Sequence, residues 1–424
     1  MTTQRTRSLR TRILLLFAVV GPGIITANVD NDAGGITTYS VAGAQYGYSL
    51  LWMLALVALA LIIIQEMSAR LGVVTGKGLA DLIRESFGVR VTALIIAVMV
   101  FANLANTVSE FAGVAASLEI FNISKYVSVP IAAVGVWLLI VKGSYKFVER
   151  IFLVASAIYF SYVLSGALAN PPWGQVLQAT VTPTFHFDAG YVTIFVTVIG
   201  TTIAPWMQFY QQAAIVDKGI SVKDFGYERI DVIVGSLFAV LVAAFITIAC
   251  AATLFKNGIQ IETAKDAALA LGPLAGKYAS TLFALGLLNA SVFSAAILPL
   301  STAYVVCEAF GWESGVSRDW KDAPVFFFVY TALIVLGAAI ILFPIKSLID
   351  VMLASQTLNG VLLPIILVTM LKLINDQRLM GKYVNGRVFN FLSWAMVVVL
   401  IVLTVILIVL SVVPGLPGAT IRPG

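Results

Sequence analysis

The sequence predicts an all-α integral membrane protein of about eleven transmembrane helices. Hydrophobic residues make up 60% of the chain and charged residues 11%, whereas soluble domains carry about 25% charged residues. Mean hydropathy is +0.99, and apolar runs near membrane-spanning length recur from end to end with short connections between them. Two of the runs, five apart in order, are interrupted by polar or proline-bearing breaks, which points to a pair of discontinuous helices.

Span 1 covers 13–44. Its apolar run Ile13 to Ala27 is broken by Asn28-Val29-Asp30-Asn31-Asp32-Ala33-Gly34-Gly35 and resumes over Ile36 to Ala44. Arg5, Arg7, Arg10 and Arg12 precede it, but no small-residue cleavage pattern follows, so it reads as a retained helix rather than a secretory signal. Spans 2 to 5 are expected at 48–66, 91–119, 126–142 and 147–168. Span 6, at 190–217, is interrupted at Gly200-Thr201-Thr202-Ile203-Ala204-Pro205-Trp206, where proline removes a backbone donor and clashes with the preceding turn. Spans 7 to 11 follow at 227–254, 276–308, 321–342, 345–371 and 388–412. One polytopic membrane domain therefore fills 1–424, with no stretch left for a separate soluble domain.

Basic residues set the orientation. With the N-terminus inside, only Lys125, Lys256, Lys265, Lys277, Lys346 and Arg422 of the 26 lysines and arginines fall outside, the bias expected of cytoplasmic loops. An odd span count then puts the C-terminus outside, in a multi-pass protein of the cell (inner) membrane. The pI near 9.1 reports this topology and no nucleic-acid partner, because the charges sit in short loops between apolar spans. Cys250 and Cys307 read as buried small hydrophobes. The one histidine, His186, falls in an outside loop.

A carboxylate at bilayer depth is tolerable only beside a polar cavity or a cation, and unwound backbone only where it lines protein or water. Asp30 and Asp32 in the first break therefore mark an ion site. Five spans is an odd number, so halves spanning 13–168 and 190–371 would be inverted in the membrane, with 388–412 as an extra helix. Breaks in corresponding spans of inverted halves point to a substrate site at the midplane.

Several motifs resemble the Nramp metal transporters. They are Gly21-Pro22-Gly23, Asp32-Ala33-Gly34-Gly35, Gly43-Ala44-Gln45-Tyr46-Gly47-Tyr48 with Leu50-Leu51-Trp52, and the run Ala69 to Lys77. Glu110 with Gly113, Ser355-Gln356 with Leu363-Pro364, and Arg378-Leu379-Met380-Gly381 extend the resemblance over essentially the whole chain. It implies a LeuT-like pair of inverted five-helix repeats plus an extra helix, working by alternating access, and uptake of divalent metal ions into the cytoplasm. It also implies no resident cofactor and, beyond the metal substrate and the lipid bilayer, no obligate protein partner.

The departures from that family carry as much information. Nramp proteins hold metal with Asp-Pro-Gly-Asn in span 1 and Met-Pro-His in span 6. Here Asp32 is kept, Ala33 stands for the proline and Gly35 for the asparagine. In span 6, Ala204 stands for the methionine and Trp206 for the histidine. Thr107 replaces the aspartate of the Asp-X-X-Glu pair associated with proton movement, while Glu110 remains. Soft thioethers select transition metals, so their loss leaves hard oxygen donors in a roomier pocket. Mg²⁺ keeps several waters and few protein ligands. The pattern resembles the prokaryotic Nramp-related magnesium transporters, a branch of the family, and leads to uptake of partly hydrated Mg²⁺, with Mn²⁺ also passing and without proton coupling. The alternative is a proton-coupled Mn²⁺/Fe²⁺ importer of the ordinary Nramp type.

Role by role, Asp32 is the anionic ligand, and the family correspondence turns the carbonyls of Val29 and Thr201 to the ion. Gln356 would lend an amide oxygen from span 10, while Gly35 and Ala204 act through what they lack. Gln208 faces either the ion or a helix–helix hydrogen bond. Asn28, Asp30 and Asn31 add polarity around the break, and Asp30 is either a second carboxylate on the access path or a solvated vestibule charge. Trp206 fills the space of the missing histidine. Thr107 and Glu110 mark the altered proton route, with Glu110 as a structural partner in the bundle. Enzymatic function lacks support, since there is no His-Glu-x-x-His run and no nucleophile–base pair. A channel would want a ligand ring from a symmetric oligomer, which this chain does not need.

Overall fold

The computed structural model describes residues 26, 29–142 and 156–412. Asn28, the first half of span 1 with Gly21-Pro22-Gly23, the N-terminal arginines, the start of span 5 and Arg422 lie outside the described residues. Among the described residues nine helices are long and apolar enough to cross a membrane. They include span 2 at Leu51–Thr75, span 3 at Leu79–Glu119, span 4 at Lys125–Lys142, span 7 at Phe225–Thr253 and span 8 at Ala279–Phe310. Span 6 is a broken pair, Ala189–Thr202 and Pro205–Asp217; spans 9 to 11 run Pro324–Leu342, Leu348–Ile374 and Arg387–Val412. Helices Ala33–Tyr46 and Phe160–Leu168 are the described parts of spans 1 and 5, consistent with the expected eleven.

Local chemistry places the helix ends. Asp188 caps the first half of span 6 by accepting from the Tyr191 N–H at 2.8 Å, and Ser347 caps span 10 at 3.1 Å from the Asp350 N–H, each satisfying an orphan amide. Pro324 opens span 9, where its missing donor is harmless. Span 3 starts at Leu79 rather than 91, with a kink at Gly88 (φ 76°). Hydropathy hid this first piece because Asp81, Arg84 and Glu85 interleave with Leu79, Leu82 and Ile83, whose side chains are buried. A further helix, Trp173–Val181, occupies the connection between spans 5 and 6, which reads as a loop in sequence.

Burial separates the inner helices from the outer ones. Span 6 is buried over 94% of its most apolar stretch, against 28% for spans 4 and 11. The described half of span 1 packs on span 7, the first half of span 6 on span 10, and span 3 on spans 8 and 10. Gly200 lets spans 6 and 10 meet backbone to backbone, since a Cβ there would strike the Gln356 carbonyl and the Gly360 amide. On the predicted cytoplasmic side, Arg70 ties span 2 to the segment between spans 10 and 11. It donates to the Tyr383 carbonyl at 2.9 Å and to Asn385 Oδ1 at 2.6 Å, and pairs with Glu66 at 3.0 Å.

Candidate metal site

Both breaks expected from sequence are present, and both are tighter than expected. Asp30 and Asn31 form a turn after Val29. Asp32 then caps helix Ala33–Tyr46, its Oδ1 accepting from the Gly35 N–H at 2.5 Å. The helix thus resumes at Ala33 rather than Ile36, because the aspartate side chain satisfies the amide that Gly35 would otherwise leave open. In span 6, Ile203 and Ala204 alone leave helical geometry, and Pro205 restarts the helix at its first position.

Three oxygens from the two breaks converge over Gly35. A Cβ on that residue would lie 2.6 Å from the Asp30 carbonyl, 3.2 Å from Asp32 Oδ1 and 3.2 Å from Thr201 Oγ1. The backbone oxygen standing over this point is therefore that of Asp30 rather than of Val29, and Thr201 brings its hydroxyl. That hydroxyl is buried and has no hydrogen-bond partner among the described residues. Asp30 is 2% exposed with both carboxylate oxygens unpartnered among the described residues, so the solvated-vestibule reading of Asp30 is overturned.

Gln356 reaches the same aspartate, its Nε2 lying 3.2 Å from Asp32 Oδ2 and 3.4 Å from Oδ1. Its amide oxygen accepts from Asn359 at 2.8 Å, and Asn359 in turn exchanges hydrogen bonds with Asn106 at 3.0 and 3.1 Å. The expected oxygen donor thus presents its nitrogen to Asp32, and a polar chain links spans 1, 10 and 3. Sequence reasoning passed over Asn106 and Asn359; their signal is an amide side chain inside an apolar run. Gln356 occupies the space a Gly34 side chain would need.

The remaining expected residues frame this center. Glu110 Oε2 accepts from the Ala33 N–H at 3.2 Å, while its Oε1 has no hydrogen-bond partner among the described residues. Thr107 closes its hydroxyl on its own helix at the Asn103 carbonyl, 2.7 Å away. Asn31 donates to the Ala239 carbonyl at 3.4 Å, and its own carbonyl accepts from the Tyr159 hydroxyl at 3.1 Å. Gln208, with its amide nitrogen turned to the break, donates to the Pro205 and Ala204 carbonyls at 2.8 and 3.0 Å. Both bonds run back along its own half-helix. Trp206 is fully packed, its carbonyl accepting from Ser301 at 3.2 Å. His186 is exposed, as expected, with its ring edge-on to Tyr191. Cys250 and Cys307 are free and buried.

Asp30, Asp32 and Glu110 are all buried, and no ion pair among the described residues reaches them. Removing a carboxylate from water costs several kcal/mol unless a counter-charge is supplied. Among the described residues no three His, Cys, Asp or Glu side chains are grouped to hold a metal. The donor set at Gly35 is instead one carboxylate with neutral oxygens, the combination that suits a hard dication retaining water.

Comparison with known proteins decides the lineage. Residues 23–410 match the family model described as Nramp, natural resistance-associated macrophage protein-like. The chain belongs to the Nramp family. It is 25% identical over 396 residues to the divalent metal cation transporter MntH of Bacillus subtilis, covering 91% of this chain and 90% of that protein. A manganese transporter of Eremococcus coleocola superposes with a TM-score of 0.78 at 23% identity, over 96% of this chain and 88% of the other. Mhp1, a nucleobase-cation-symport-1 family transporter, superposes at 0.58 with 15% identity over 92% of this chain and 90% of that one. The fold is LeuT-like, and the protein is a membrane-embedded divalent metal transporter of the Nramp type, not an enzyme. Against the Nramp pattern, Ala204 brings only a methyl group to the break and Trp206 an indole; both are 2% exposed.

Proposed function

We propose that this Nramp protein takes up Mg²⁺ and Mn²⁺ as partly hydrated ions, driven by the membrane potential and not by protons. The observation that carries the reading is the donor set over Gly35, with oxygens from Asp30, Asp32 and Thr201 and no sulfur at Ala204. The sulfur of Met352, one turn before Gln356, is occupied by the Thr37 hydroxyl at 3.5 Å. A pocket of oxygens does not demand a soft metal, and its few donors leave room for the waters Mg²⁺ sheds reluctantly. The names of the MntH and manganese-transporter relatives support the divalent class and Mn²⁺. The extension to Mg²⁺ rests on the donors. Asp32 is the anionic ligand in this reading, and the excess of basic residues in one set of loops favors a cytoplasmic N-terminus and an outside C-terminus in the cell membrane.

Proton independence follows from the same neighborhood. Thr107 cannot titrate and Trp206 has no exchangeable charge. Glu110 already serves the Ala33 amide. A potential supplies about 2.3 kcal/mol per charge per 100 mV, so for a dication about 4.6 kcal/mol, roughly a 2,000-fold accumulation at 1.36 kcal/mol per decade. The test is uptake into proteoliposomes under a potassium diffusion potential with a pH dye inside. Mg²⁺ and Mn²⁺ entry with a constant internal pH is expected, and metal-dependent acidification would overturn the proposal. The second reading, a proton-coupled Mn²⁺/Fe²⁺ importer, is favored by the buried and unpartnered Oε1 of Glu110. It requires flux that rises with an inward proton gradient.

A further inference from the structure

The second half of span 6 is held differently on its two flanks. Toward span 2 the union is close. The Ser68 hydroxyl donates to the Gln208 carbonyl at 2.7 Å, and the Gln212 amide to the Lys77 carbonyl at 2.8 Å. Gly72 lets the two helices approach, since a Cβ there would lie 3.1 Å from Gln212 Cγ and 3.3 Å from Ile215 Cγ2. Ala69 and Val73 of span 2 form a buried apolar cluster with Ile215 and with Val232 of span 7. Packing of this kind transmits a displacement rather than absorbing it, so span 2 and the second half of span 6 move as one piece.

Toward span 8, hydroxyl groups make the polar ties. Ser301 donates to the Trp206 carbonyl near the break, and at the far end the Tyr304 hydroxyl donates to Asp217 Oδ2 at 2.5 Å. The same hydroxyl accepts from the Val316 N–H at 3.3 Å, which brings the connection between spans 8 and 9 against the end of span 6. The Tyr304 ring is buried edge-on to Phe326, whereas Asp217 is exposed, so water can compete for this bond. Beside it lies a cavity of about 270 Å³, with Tyr210, Ala214, Asp217, Tyr304, Val316 and Arg318 in its walls. Trp206, Tyr210, Ala214 and Asp217 follow one another at helical spacing down a single face. That face leads from the break to the cavity over about 20 Å of helix. The rings of Trp206 and Tyr210, 6.1 Å apart and both buried, close it above the cavity.

We propose that the metal leaves along this face, between the second half of span 6 and span 8, and that the Tyr304–Asp217 bond is the latch of that exit. When the latch opens, span 2 and the second half of span 6 swing from span 8 together, and the cavity joins the break. Tyr304 is a positioning residue: it holds the closed arrangement through Asp217 without touching the ion. The inference rests on divalent metal transport and on the predicted cytoplasmic side, and not on which ion is carried or on proton independence.

The test is labeling of the full-length protein by a membrane-impermeant maleimide, in inside-out and right-side-out membrane vesicles, with Cys250 and Cys307 first replaced by alanine. Ala214→Cys, in the cavity wall, reports the exit. Ala268→Cys, buried in the connection between spans 7 and 8, reports any general loosening. Tyr304→Phe keeps the ring against Phe326 and should raise labeling of Ala214→Cys by about fivefold or more from the predicted cytoplasmic face, the scale of one lost hydrogen bond. Ala268→Cys should stay unlabeled. Asp217→Ala should match Tyr304→Phe, and the two combined should exceed neither, since they break one bond. Asp217→Asn still offers an oxygen to the hydroxyl and should stay near the starting rate. Thermal melting identifies a variant that has not folded, in which case the other decides. Folded Tyr304→Phe or Asp217→Ala labeling at the starting rate, Asp217→Asn as reactive as Asp217→Ala, or a matching rise at Ala268→Cys overturns the latch. A rise confined to the opposite face reverses the predicted orientation and leaves the latch standing.

Discussion

Replacing Gly35 by alanine is the most exacting probe of the oxygen pocket. The added methyl would sit 2.6 Å from the Asp30 carbonyl oxygen, a backbone atom with no rotamer to escape into, and 3.2 Å from both Asp32 Oδ1 and Thr201 Oγ1. Ordinary contact needs about 3.4 Å or more, so the break must open by several tenths of an ångström while the methyl fills the space an ion would use. Overpacking of this kind costs roughly 1–3 kcal/mol, equivalent to about a 5- to 150-fold loss at 1.36 kcal/mol per decade. The apparent KM for Mn²⁺ and Mg²⁺ uptake into proteoliposomes should therefore rise by at least fivefold for both ions. Gly34→Ala probes a different part of the site. Its methyl would displace the Gln356 side chain, which donates to Asp32, while leaving the three oxygens over Gly35 in place. An unchanged KM in Gly35→Ala would refute the assignment of that space to the ion.

Three further substitutions separate the roles around the site. Ala204→Met puts a thioether back at the break and should depress Mg²⁺ uptake more than Mn²⁺ uptake in a competition assay; equal loss for both ions would remove the argument from ligand softness. Glu110→Gln keeps an oxygen for the Ala33 amide while deleting the charge, so transport should survive with the same flat pH profile, and abolition of a pH-dependent component would instead favor proton coupling. Thr201→Val removes the unpartnered hydroxyl with little change in shape and should raise KM for both ions about three- to tenfold, the scale of one neutral hydrogen-bonding contact at about 0.5–1.5 kcal/mol; an unchanged KM would exclude it from the pocket.

The class of fold was legible because it depends on the coarsest quantity in the sequence, the length of apolar runs. The two breaks were legible because aspartate, glycine pairs and proline are costly inside such runs. Three features were not. The early start of span 3 was masked by charged residues on its exposed side, whereas Leu79, Leu82 and Ile83 face inward. The orientation of Gln356 depends on Asn359, which takes its amide oxygen, a pairing within span 10 whose consequence appears only when span 1 is packed against it. Gln208 could have faced any neighbor, and the proline-bearing break supplied carbonyls that it satisfies within its own helix. For both glutamines the side chain was recognizable as polar in an apolar setting, but its partner was fixed by packing.

The polar chain from Asp32 through Gln356 and Asn359 to Asn106 also bears on how binding and shape are connected. Asp32 already accepts from the Gly35 amide and faces the Gln356 amide nitrogen. A dication on that carboxylate repels the partial positive charge of both donors, so the amide of Gln356 must turn or withdraw as the ion arrives. If it turns, its oxygen becomes a ligand and its nitrogen meets Asn359, whose own amide then has to reverse toward Asn106. If it withdraws, span 10 loses its direct hydrogen bonds to Asp32. Either way a change of charge in the first break is passed to spans 10 and 3 through hydrogen bonds with a definite polarity. That is a physical link between an occupied site and the relative placement of the helices around it.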